Sequence, residues 1–565
     1  MRSPFKANEI KEQEIDAHVV GHLPIVKAYA EKIGLVDILN ELIPSEMDVD
    51  PGTVFLGMIL DTLSGRTPLY RLNDFFKEQD AELLLGKKVE PEKFSDYNVT
   101  RVLGKAYAVG TMKIFTNISR RAADIFNIDK SHVHFDTTSV SVYGAYDQCN
   151  DEGPDLNITY GHSKDHRPDL KQFLVSMLCV DRNVPIFGKL EDGNESDKNI
   201  NNKLLTTISK RMAEHGMDPK AFIYIADAAM ITGKNLAVMG DDVLFISRFP
   251  ANYTEHRRVI KDAILKNEWE DLGVLAHSKP TKKRPAAHYK AYESEIEIDD
   301  KKYRAIVIHS SSNDKRRRKR IERELNKELK SLNKLRKKIC KKNFFCEKDA
   351  IAAGEELKKE KSKYHMVNTE IEQRAKHKIG RPKKGEQKQI KEMRYGLDVT
   401  IEQDTEAVAM LRQEAGCFVM ITNVSKQGED GYDAKEVLGA YKEQHGIEQN
   451  FAFLKDPLIV NSIFLKKPER IEVLGLVLLL SLLVWRLIER DMRNYVETKK
   501  KDLPGWLNRR TTRPTTFMFM TKFQFVMIIK IGSKRRLKKP FTSEQKEYLS
   551  ALNVSQDIFI EPRAG

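Results

Sequence analysis

Cysteine, tryptophan and long apolar runs are all scarce in this sequence. The chain has 565 residues but only five cysteines and three tryptophans. Five cysteines are too few for a disulfide framework, and no two of them have the two-residue spacing of a zinc site. The longest uncharged apolar run, Val473–Trp485, is shorter than the ~20 residues that span a bilayer, so it predicts a buried core helix.

Targeting and repeat signals are also lacking. No apolar stretch follows the positive charges of the N-terminus, and no segment repeats along the chain. We therefore expect no signal peptide and no membrane partner, and we expect the protein in a reducing cytoplasm. The length suggests three or four domains at roughly 150 residues each.

Positive charge is in excess. Lysine and arginine number 96 against 82 aspartates and glutamates, which leaves a net charge of +14. A basic balance of this size favours a polyanionic partner such as nucleic acid, although it says nothing about the fold.

Residues 1–128 have the apolar spacing of helices. Asp50 and Pro51 form a strong helix start, and the run Ser64–Pro68 separates that helix from the next one. A further helix is predicted over Val99–Ile125. Helix, short glycine-containing turn and helix is the pattern of a DNA-reading unit, but it is equally the pattern of an ordinary helical hairpin.

The pattern changes to alternating strands and helices after residue 128. Residues 129–250 contain five strand-like runs, and helices lie between some of them, which predicts a mixed α/β core. Residues 251–412 interrupt it with two strand-like runs around Asp299-Asp300 and two charged helices, Asp314–Lys342 and Glu355–Arg374. The core pattern resumes over 413–500, and 501–565 form a tail.

Three carboxylates stand out in this core. Asp136 lies within a β-branched strand, Asp227 directly follows an apolar strand, and Glu448 lies on the predicted helix Ala434–Leu454. A carboxylate inside an apolar strand is costly unless it is paired or binds a metal. Phosphodiester chemistry with two divalent ions needs carboxylates that converge from different elements.

The helix that carries Glu448 has a polar line along it. Tyr441, Glu448 and Lys455 are seven residues apart, and Gln444 lies one turn before Glu448, so all four share nearly one face. By spacing alone, this stripe is either a functional surface or a solvated face opposite the core.

These residues resemble the signature of a known enzyme family. The chain is similar to bacterial insertion-sequence transposases of the Asp-Asp-Glu class, in the branch whose signature is Tyr, Arg, Glu and Lys (insertion sequence 4 superfamily, 1634-like type). The signature helix matches at three of its four positions, and Gln444 replaces the arginine. Blocks that also resemble the family are His134–Ser139, Gly161–Gln172, Gly193–Lys198 and Tyr224–Ala229.

The resemblance implies a ribonuclease-H-like core that is split by a large insertion and preceded by an α-helical N-terminal region. It implies that Asp136, Asp227 and Glu448 hold Mg²⁺, for which Mn²⁺ substitutes. Tyr441, Gln444 and Lys455 would contact DNA. The implied protein binds the inverted-repeat ends of its element, cleaves them and joins their 3′-hydroxyls to target double-stranded DNA. It would act near the bacterial nucleoid as a homodimer on paired ends, with no small-molecule substrate.

The resemblance also implies a domain plan. Residues 1–128 would bind the element's ends, 129–250 and 413–500 would form the split core, 251–412 would be the insertion, and 501–565 the tail. The departure at Gln444 removes a bidentate phosphate ligand and leaves open how the strand opposite the cut is held.

Several alternatives remain open on the sequence. The protein could be a related nuclease that cuts without joining, or a DNA-binding repressor with a silent core. His132, His134 and Asp136 share one strand face and could hold zinc. Lys164–Asp169 could bind phosphate or form a surface turn, and Arg381 lies in a possible minor-groove hook. Trp269 could stack on a flipped base or pack in the core.

The basic helix Asp314–Lys342 also allows two interpretations. It carries 15 lysines and arginines against four acids, and like charges one turn apart repel each other. The helix is either a solvated strut whose leucine stripe packs on the core or a clamp on DNA. We expect the clamp, with the arginines Arg316, Arg317, Arg318 and Arg320 contacting phosphates.

Overall fold

The computed structural model describes residues 15–65, 71–143, 146, 156–275, 280, 285–358, 362–380, 387–428, 431–456 and 467–562. The chain divides into two compact units. The first contains Met1–Ser247 and Leu438–Gly565, and the second contains Arg248–Val437. The second unit is therefore inserted into the first along the chain.

The first unit begins with a short strand and a group of helices. They are β1 (Ile15–Val19), α1 (Leu23–Ile33), α2 (Leu35–Leu42), α3 (Pro51–Ser64), α4 (Leu72–Glu78), α5 (Ala81–Leu85), α6 (Asp96–Val109) and α7 (Thr111–Ile125). The predicted start of α3 is confirmed, because Asp50 accepts a hydrogen bond from the Thr53 N–H at 2.9 Å. The predicted helix Val99–Ile125 is two helices, since Gly110 breaks it with a φ of +96°.

Five neighbouring strands of a larger sheet follow, with helices between the later ones, and we call these strands the five-stranded sheet. The elements are β2 (His132–Val142), β3 (Lys171–Val180), β4 (Val184–Glu191), α8 (Asp197–Leu205), α9 (Ile208–Glu214), β5 (Ile223–Ala226), α10 (Gly233–Met239) and β6 (Leu244–Arg248). Their order in the sheet is β4-β3-β2-β5-β6. The pairs β4–β3 and β3–β2 are antiparallel, whereas β2, β5 and β6 run parallel. The predicted mixed α/β character of this region is confirmed.

The second unit combines an antiparallel sheet, a basic helix and a ribbon. Its elements are α11 (Thr254–Lys266), β7 (Glu270–Val274), β8 (His288–Ile298), β9 (Lys301–Ser310), α12 (Ser311–Ile339), α13 (Glu347–Lys358), β10 (His365–His377), β11 (Ile390–Gln403), α14 (Thr405–Glu414) and β12 (Cys417–Thr422). Strands β7, β8, β9 and β12 form the sheet, and β10 with β11 forms a two-stranded ribbon.

One expectation for this region is wrong. The charged helix predicted over Glu355–Arg374 ends at Lys358, and β10 follows, because its apolar residues pair with those of β11, as in Ile371 with Leu397. Strand β12, which we expect in the second part of the core, pairs with β9, Cys417 opposite His309, and lies within Arg248–Val437.

The chain then returns to the first unit. It forms α15 (Ala434–Glu443), α16 (His445–Lys455), α17 (Pro468–Lys499), β13 (Leu503–Pro504), β14 (Arg510–Thr511), α18 (Thr516–Phe523), β15 (Met527–Ile531), β16 (Lys534–Leu537) and α19 (Ser543–Ala551). Helix α15 begins at the end of the second unit and ends in the first.

Helix α17 is the core helix of the first unit, as predicted. It packs against β4, α3, α6 and α7. Within the described ranges it is the one helix long and apolar enough to cross a membrane, yet 94% of its most apolar 18-residue window is buried inside the protein.

The N-terminal helices and the C-terminal tail share this core. Tyr29 donates a hydrogen bond to Asp491 of α17 at 2.6 Å, and β1 pairs with β15 of the tail. Residues 1–128 are thus part of the first unit, which differs from the separate end-binding domain that we expected. The helical spacing identified the helices but not the surfaces that they cover.

Candidate active site

Asp136 and Asp227 lie next to each other at the centre of the five-stranded sheet. In the parallel pair β2–β5, His134 is opposite Ile225, and two further residues along each strand lead to Asp136 and Asp227. Adjacent strands are about 4.8 Å apart, and residues in register on parallel strands point to the same face. The two carboxylates that the sequence singled out are therefore neighbours.

The protein around these aspartates disfavours their charged forms. Burial raises the pKa of Asp136 to about 6, and the nearby Asp227 and Asp197 carboxylates add to the rise, while the Lys164 ammonium opposes it. Removal from water also raises the pKa of Asp227, and Asp197 adds to that effect. Close carboxylates with raised pKa values are a common property of sites that bind cations or transfer protons.

A third carboxylate, Asp197, belongs to the same group. Thr137, the residue after Asp136, donates its hydroxyl to Asp197. The Lys164 ammonium donates to the Thr137 carbonyl at 2.6 Å and to its hydroxyl oxygen at 2.7 Å, and it lies 3.3 Å from Asp197. Lys164 thereby joins the strand that carries Asp136 to the start of α8.

The signature helix lies along β2 but is broken. It forms α15 and α16, with the break at Gln444, whose side-chain amide donates to the Phe135 carbonyl at 3.4 Å. At one end Glu443 is 3.5 Å from His132 and 3.8 Å from His134. At the other end Lys455 forms a 2.7 Å ion pair with Asp165. The helix that was predicted to present a functional stripe thus passes beside Asp136.

Glu448 does not join the two aspartates. Its side chain is 66% exposed, and its carboxylate accepts a 2.8 Å hydrogen bond from His445 one turn earlier. In the described part of the chain, no three histidine, cysteine, aspartate or glutamate side chains come together as a metal-binding group. The structure therefore brings Asp136 and Asp227 together but not the expected triad, because Glu448 points to solvent from the neighbouring helix.

The other two residues of the stripe are on the same helices. Tyr441 is half-buried in the last turn of α15. Lys455, expected to contact DNA, is one-quarter exposed while it is paired with Asp165. The Asp165 carboxylate therefore competes with a phosphate for the Lys455 ammonium.

The position of α16 is fixed by a buried polar network. Asn450, which is fully buried, donates to the Asn183 carbonyl at 2.9 Å and accepts from Arg486 at 2.5 Å. Arg486 in turn pairs with Glu489 within α17 at 2.7 Å. Gly446 approaches the Asn183 side chain so closely that a Cβ atom would overlap it. Two contacts with Asn183 therefore flank Glu448.

The zinc alternative gains nothing from the geometry. Histidines 132 and 134 face Glu443, and burial lowers the pKa of His134. They do not converge with Asp136 in the described residues. Hydrogen bonds from both histidines lower the pKa of Glu443 to about 2 against the opposing effect of its burial.

Three further regions that the sequence singled out have ordinary structural roles. Arg167 of the Lys164–Asp169 segment pairs with Asp169 at 2.7 Å. Trp269 packs edge-on against Tyr292 and His309, which favours a packing role. Helix α3 is buried from Pro51 to Leu63, and the exposed side chains of α4 are Asp74, Lys77 and Glu78. That surface favours a helical hairpin rather than a DNA-reading unit.

The basic helix α12 has its apolar stripe packed and its cations outside. Ile321 and Leu325 pack with Tyr364, Val408 and Ala415. All four acids of the helix have partners, namely Asp314 with Arg318, Glu322 with Arg412, Glu324 with Arg320 and Glu328 with His365. The strut and the clamp are thus compatible, because the apolar face of α12 packs on the protein while its cationic face is exposed to a partner.

The four arginines expected to bind DNA differ in their partners. Arg318 and Arg320 are held by acids one turn away at 2.7 Å. Arg316 donates to the Asn313 side chain at 3.2 Å, and Arg317 is exposed. Arg316 and Arg317 are therefore the better candidates for phosphate contacts. Arg381 lies outside the described residues.

Sequence reasoning gave no role to Asp197, Glu443 or Asn450. Asp197 was visible only as part of the Gly193–Lys198 block, because nothing in the sequence shows that Thr137 and Lys164 reach it. Glu443 and Asn450 flank the signature positions on the same helices, and their partners His132 and Asn183 on the sheet side are more than 260 residues away in the chain. Long-range partners of this kind leave no local pattern.

Comparison with known proteins is informative for the N-terminal helices. The model of a domain of unknown function, DUF4277, matches residues 15–120. That domain is found in transposase-like proteins in some families. The match covers β1 to α6 and the first part of α7, and it includes neither Asp136 nor Asp227. No curated protein sequence matches the chain significantly.

Proposed function

We propose that this protein is a metal-dependent DNA transposase of the Asp-Asp-Glu class. It would bind the inverted-repeat ends of its own element, cleave them and join their 3′-hydroxyls to target DNA as a homodimer. The observation that carries the proposal is the placement of Asp136 and Asp227 side by side on parallel strands, with the signature helix beside them.

Two further observations support it. The domain that matches residues 15–120 is found in transposase-like proteins in some families. The second unit is inserted between the second aspartate and the signature helix, where the resemblance expects an insertion. We propose on this basis that the five-stranded sheet is the ribonuclease-H-like core.

The donor chemistry at the aspartate pair fits magnesium in part. Mg²⁺ and Mn²⁺ prefer carboxylate oxygens, and the two neighbouring aspartates offer them. Glu448, as it lies, does not complete a three-ligand group. Bound to Asp136 and Asp227, the metal would supply Lewis acidity for phosphodiester hydrolysis and end joining.

The residues around the two aspartates would contact DNA or hold the site in position. Lys164 and Thr137 hold the peptide next to Asp136. Tyr441, Gln444 and Lys455 lie along the signature helix, where a DNA strand that reaches the aspartates would pass. Gln444 already donates to a backbone carbonyl of β2, so its contribution is to the position of the helix as well as to DNA.

The geometry of Glu448 favours a second candidate function. A carboxylate that is two-thirds exposed and paired with His445 suits a DNA-binding protein whose core does not catalyse. Such a protein would bind the element's ends as a repressor.

Cleavage of labelled DNA tests the proposal. The full chain is incubated in Mg²⁺ or Mn²⁺ with duplexes that carry the genomic segments on both sides of its gene. We expect specific cleavage and transfer of the cut 3′ ends into a plasmid. Asp136→Asn, Asp227→Asn and Glu448→Gln each remove a ligand charge with little change in volume, and each should abolish cleavage while DNA affinity is kept.

Asp242→Asn, at an exposed position after α10, is the matched control and should cleave normally. DNA binding without cleavage by the unmodified chain would favour the repressor. Cleavage without strand transfer would indicate a nuclease. Full activity of one variant would remove that residue from the proposed site.

A further inference from the structure

The ribbon β10–β11 is largely exposed in the second unit. Each strand has at least 13 residues, so the ribbon is about 44 Å long at ~3.4 Å per residue. The half near β11's end packs on α13 through Leu397 and Val399. The other end, beyond the pair of Arg374 and Arg394, is mostly exposed over the described residues, and we call it the free end.

This free end is basic, and three of its lysines have no carboxylate partner among the described residues. Lys376 pairs with Glu392 at 3.0 Å. Lys378, Lys388 and Lys391 are exposed, and no described carboxylate is within ion-pair distance of them. Lys378 donates only to the Gln389 side chain, at 3.0 Å.

The basic end of α12 adjoins the ribbon. Arg374 donates to the Cys340 carbonyl at 2.8 Å, directly after the last turn of α12. Exposed cations of that end are Arg336, Lys337, Lys338, Lys341 and Lys342. Together with Lys378, Lys388 and Lys391 they form what we call the ribbon patch. It is roughly 30 Å along the helix axis from Arg316 and Arg317.

The free end also exposes apolar side chains. Ile379 is fully exposed, and Ile390 and Met393 are 55% and 43% exposed. Single apolar side chains surrounded by cations suit a DNA groove, which has phosphates along its edges and base edges on its floor. The major groove of B-DNA is about 12 Å wide and admits a two-stranded β-ribbon.

We propose that the ribbon patch binds double-stranded DNA, with the ribbon in a groove and the end of α12 on the adjoining phosphates. The proposal rests on the DNA partner of the proposed function and adds a second contact surface, separate from the aspartates and from Arg316 and Arg317. Charge complementarity and the shape of the ribbon favour duplex DNA over an anionic membrane.

Salt-dependent binding tests it. The full chain is titrated with a fluorescent random-sequence duplex of about 40 base pairs over a range of salt. In the ribbon variant, Lys378, Lys388 and Lys391 are all changed to Gln. Each lost phosphate contact lowers the slope of log K against log salt by ~0.9, so we expect the slope to fall by about 2.7.

The control variant changes Lys266, Lys301 and Lys302 to Gln. These lysines are exposed on the same unit and remove the same charge, so the control separates local contacts from net charge. We expect its slope to stay near that of the unmodified chain. Equal slopes for all three proteins, with duplex binding retained, would overturn the ribbon proposal and leave the proposed function intact.

Two other outcomes would also overturn it. Absence of duplex binding by the unmodified chain would refute the DNA partner itself, and with it the proposed function. Vesicles of phosphatidylcholine and phosphatidylserine are titrated in parallel. If they bind the unmodified chain but not the ribbon variant, while duplex slopes are unchanged, the patch is a membrane surface.

Discussion

The close approach of Gly446 to Asn183 gives a sharp prediction about the signature helix. A Cβ atom at position 446 would overlap the Asn183 carboxamide, whereas one at Gly439, two turns earlier on α15, would meet nothing within 4 Å. Neither glycine has a positive φ, so alanine suits the backbone at both. The two substitutions are chemically identical and differ only in what the new methyl group meets.

The expected free energies have opposite signs. Glycine to alanine within a helix stabilises by about 0.5–1 kcal/mol, which is what we expect for Gly439→Ala. At Gly446 the same gain is opposed by overpacking, which costs typically ~1–3 kcal/mol. We therefore expect Gly446→Ala to destabilise α16 by up to about 2 kcal/mol, and to displace Glu448, which lies two residues further on.

Hydrogen exchange followed by mass spectrometry measures this locally. Amides of residues 445–455 should exchange up to about thirtyfold faster in Gly446→Ala, since 1.4 kcal/mol is a factor of ten. They should exchange at the normal rate or more slowly in Gly439→Ala. If the Gly446→Ala protein protects these amides as well as the unmodified chain, the Asn183 carboxamide does not hold its place against α16, and the overpacking argument is refuted.

The sequence singled out the two aspartates for a physical reason. Asp136 and Asp227 each stand out against apolar strand neighbours, and a charged residue in that setting needs a compensating partner. The structure shows β2 and β5 paired in parallel, and this pairing brings the two aspartates together. Local composition was enough to identify the residues, but the strand pairing that makes them neighbours was not predicted from the sequence.

The sequence predicted the helix that carries Glu448 but not the direction in which its side chain points. Helical spacing put Tyr441, Gln444, Glu448 and Lys455 on one line, and the structure keeps them on α15 and α16. Glu448 pairs locally with His445, three residues earlier on α16, whereas Gln444 and Asn450 are held by tertiary contacts with Phe135 and Asn183. Those partners are remote in the chain, so no local pattern reports them.

The second unit shows where charge misleads. A high density of Lys and Glu over 355–374 predicts a solvated helix, yet β10 occupies half of that segment, because its alternate residues face the apolar side of β11. Exposed ribbons carry charges on both faces, which conceals their two-residue period. The same exposure leaves the ribbon patch free for a partner.

Two further predictions concern how DNA is held. Reversal of Arg316 and Arg317 to Glu should weaken duplex binding and lower the salt slope by about 2, because within the described part of the chain neither arginine pairs with an acid; the same change at Arg257, which pairs with Glu414, should have less effect in the same titration. The last prediction concerns Lys455. Asp165 holds it in a 2.7 Å pair that is partly exposed, and such pairs contribute about 0.2–1 kcal/mol. If Lys455 transfers to a phosphate, Asp165→Asn should tighten duplex binding by up to about fivefold. The effect should vanish in the Lys455→Met background, where there is no ammonium to release. Equal tightening in both backgrounds would mean that Asp165 acts on DNA by simple repulsion, and weaker binding would mean that it orients Lys455 instead of competing for it.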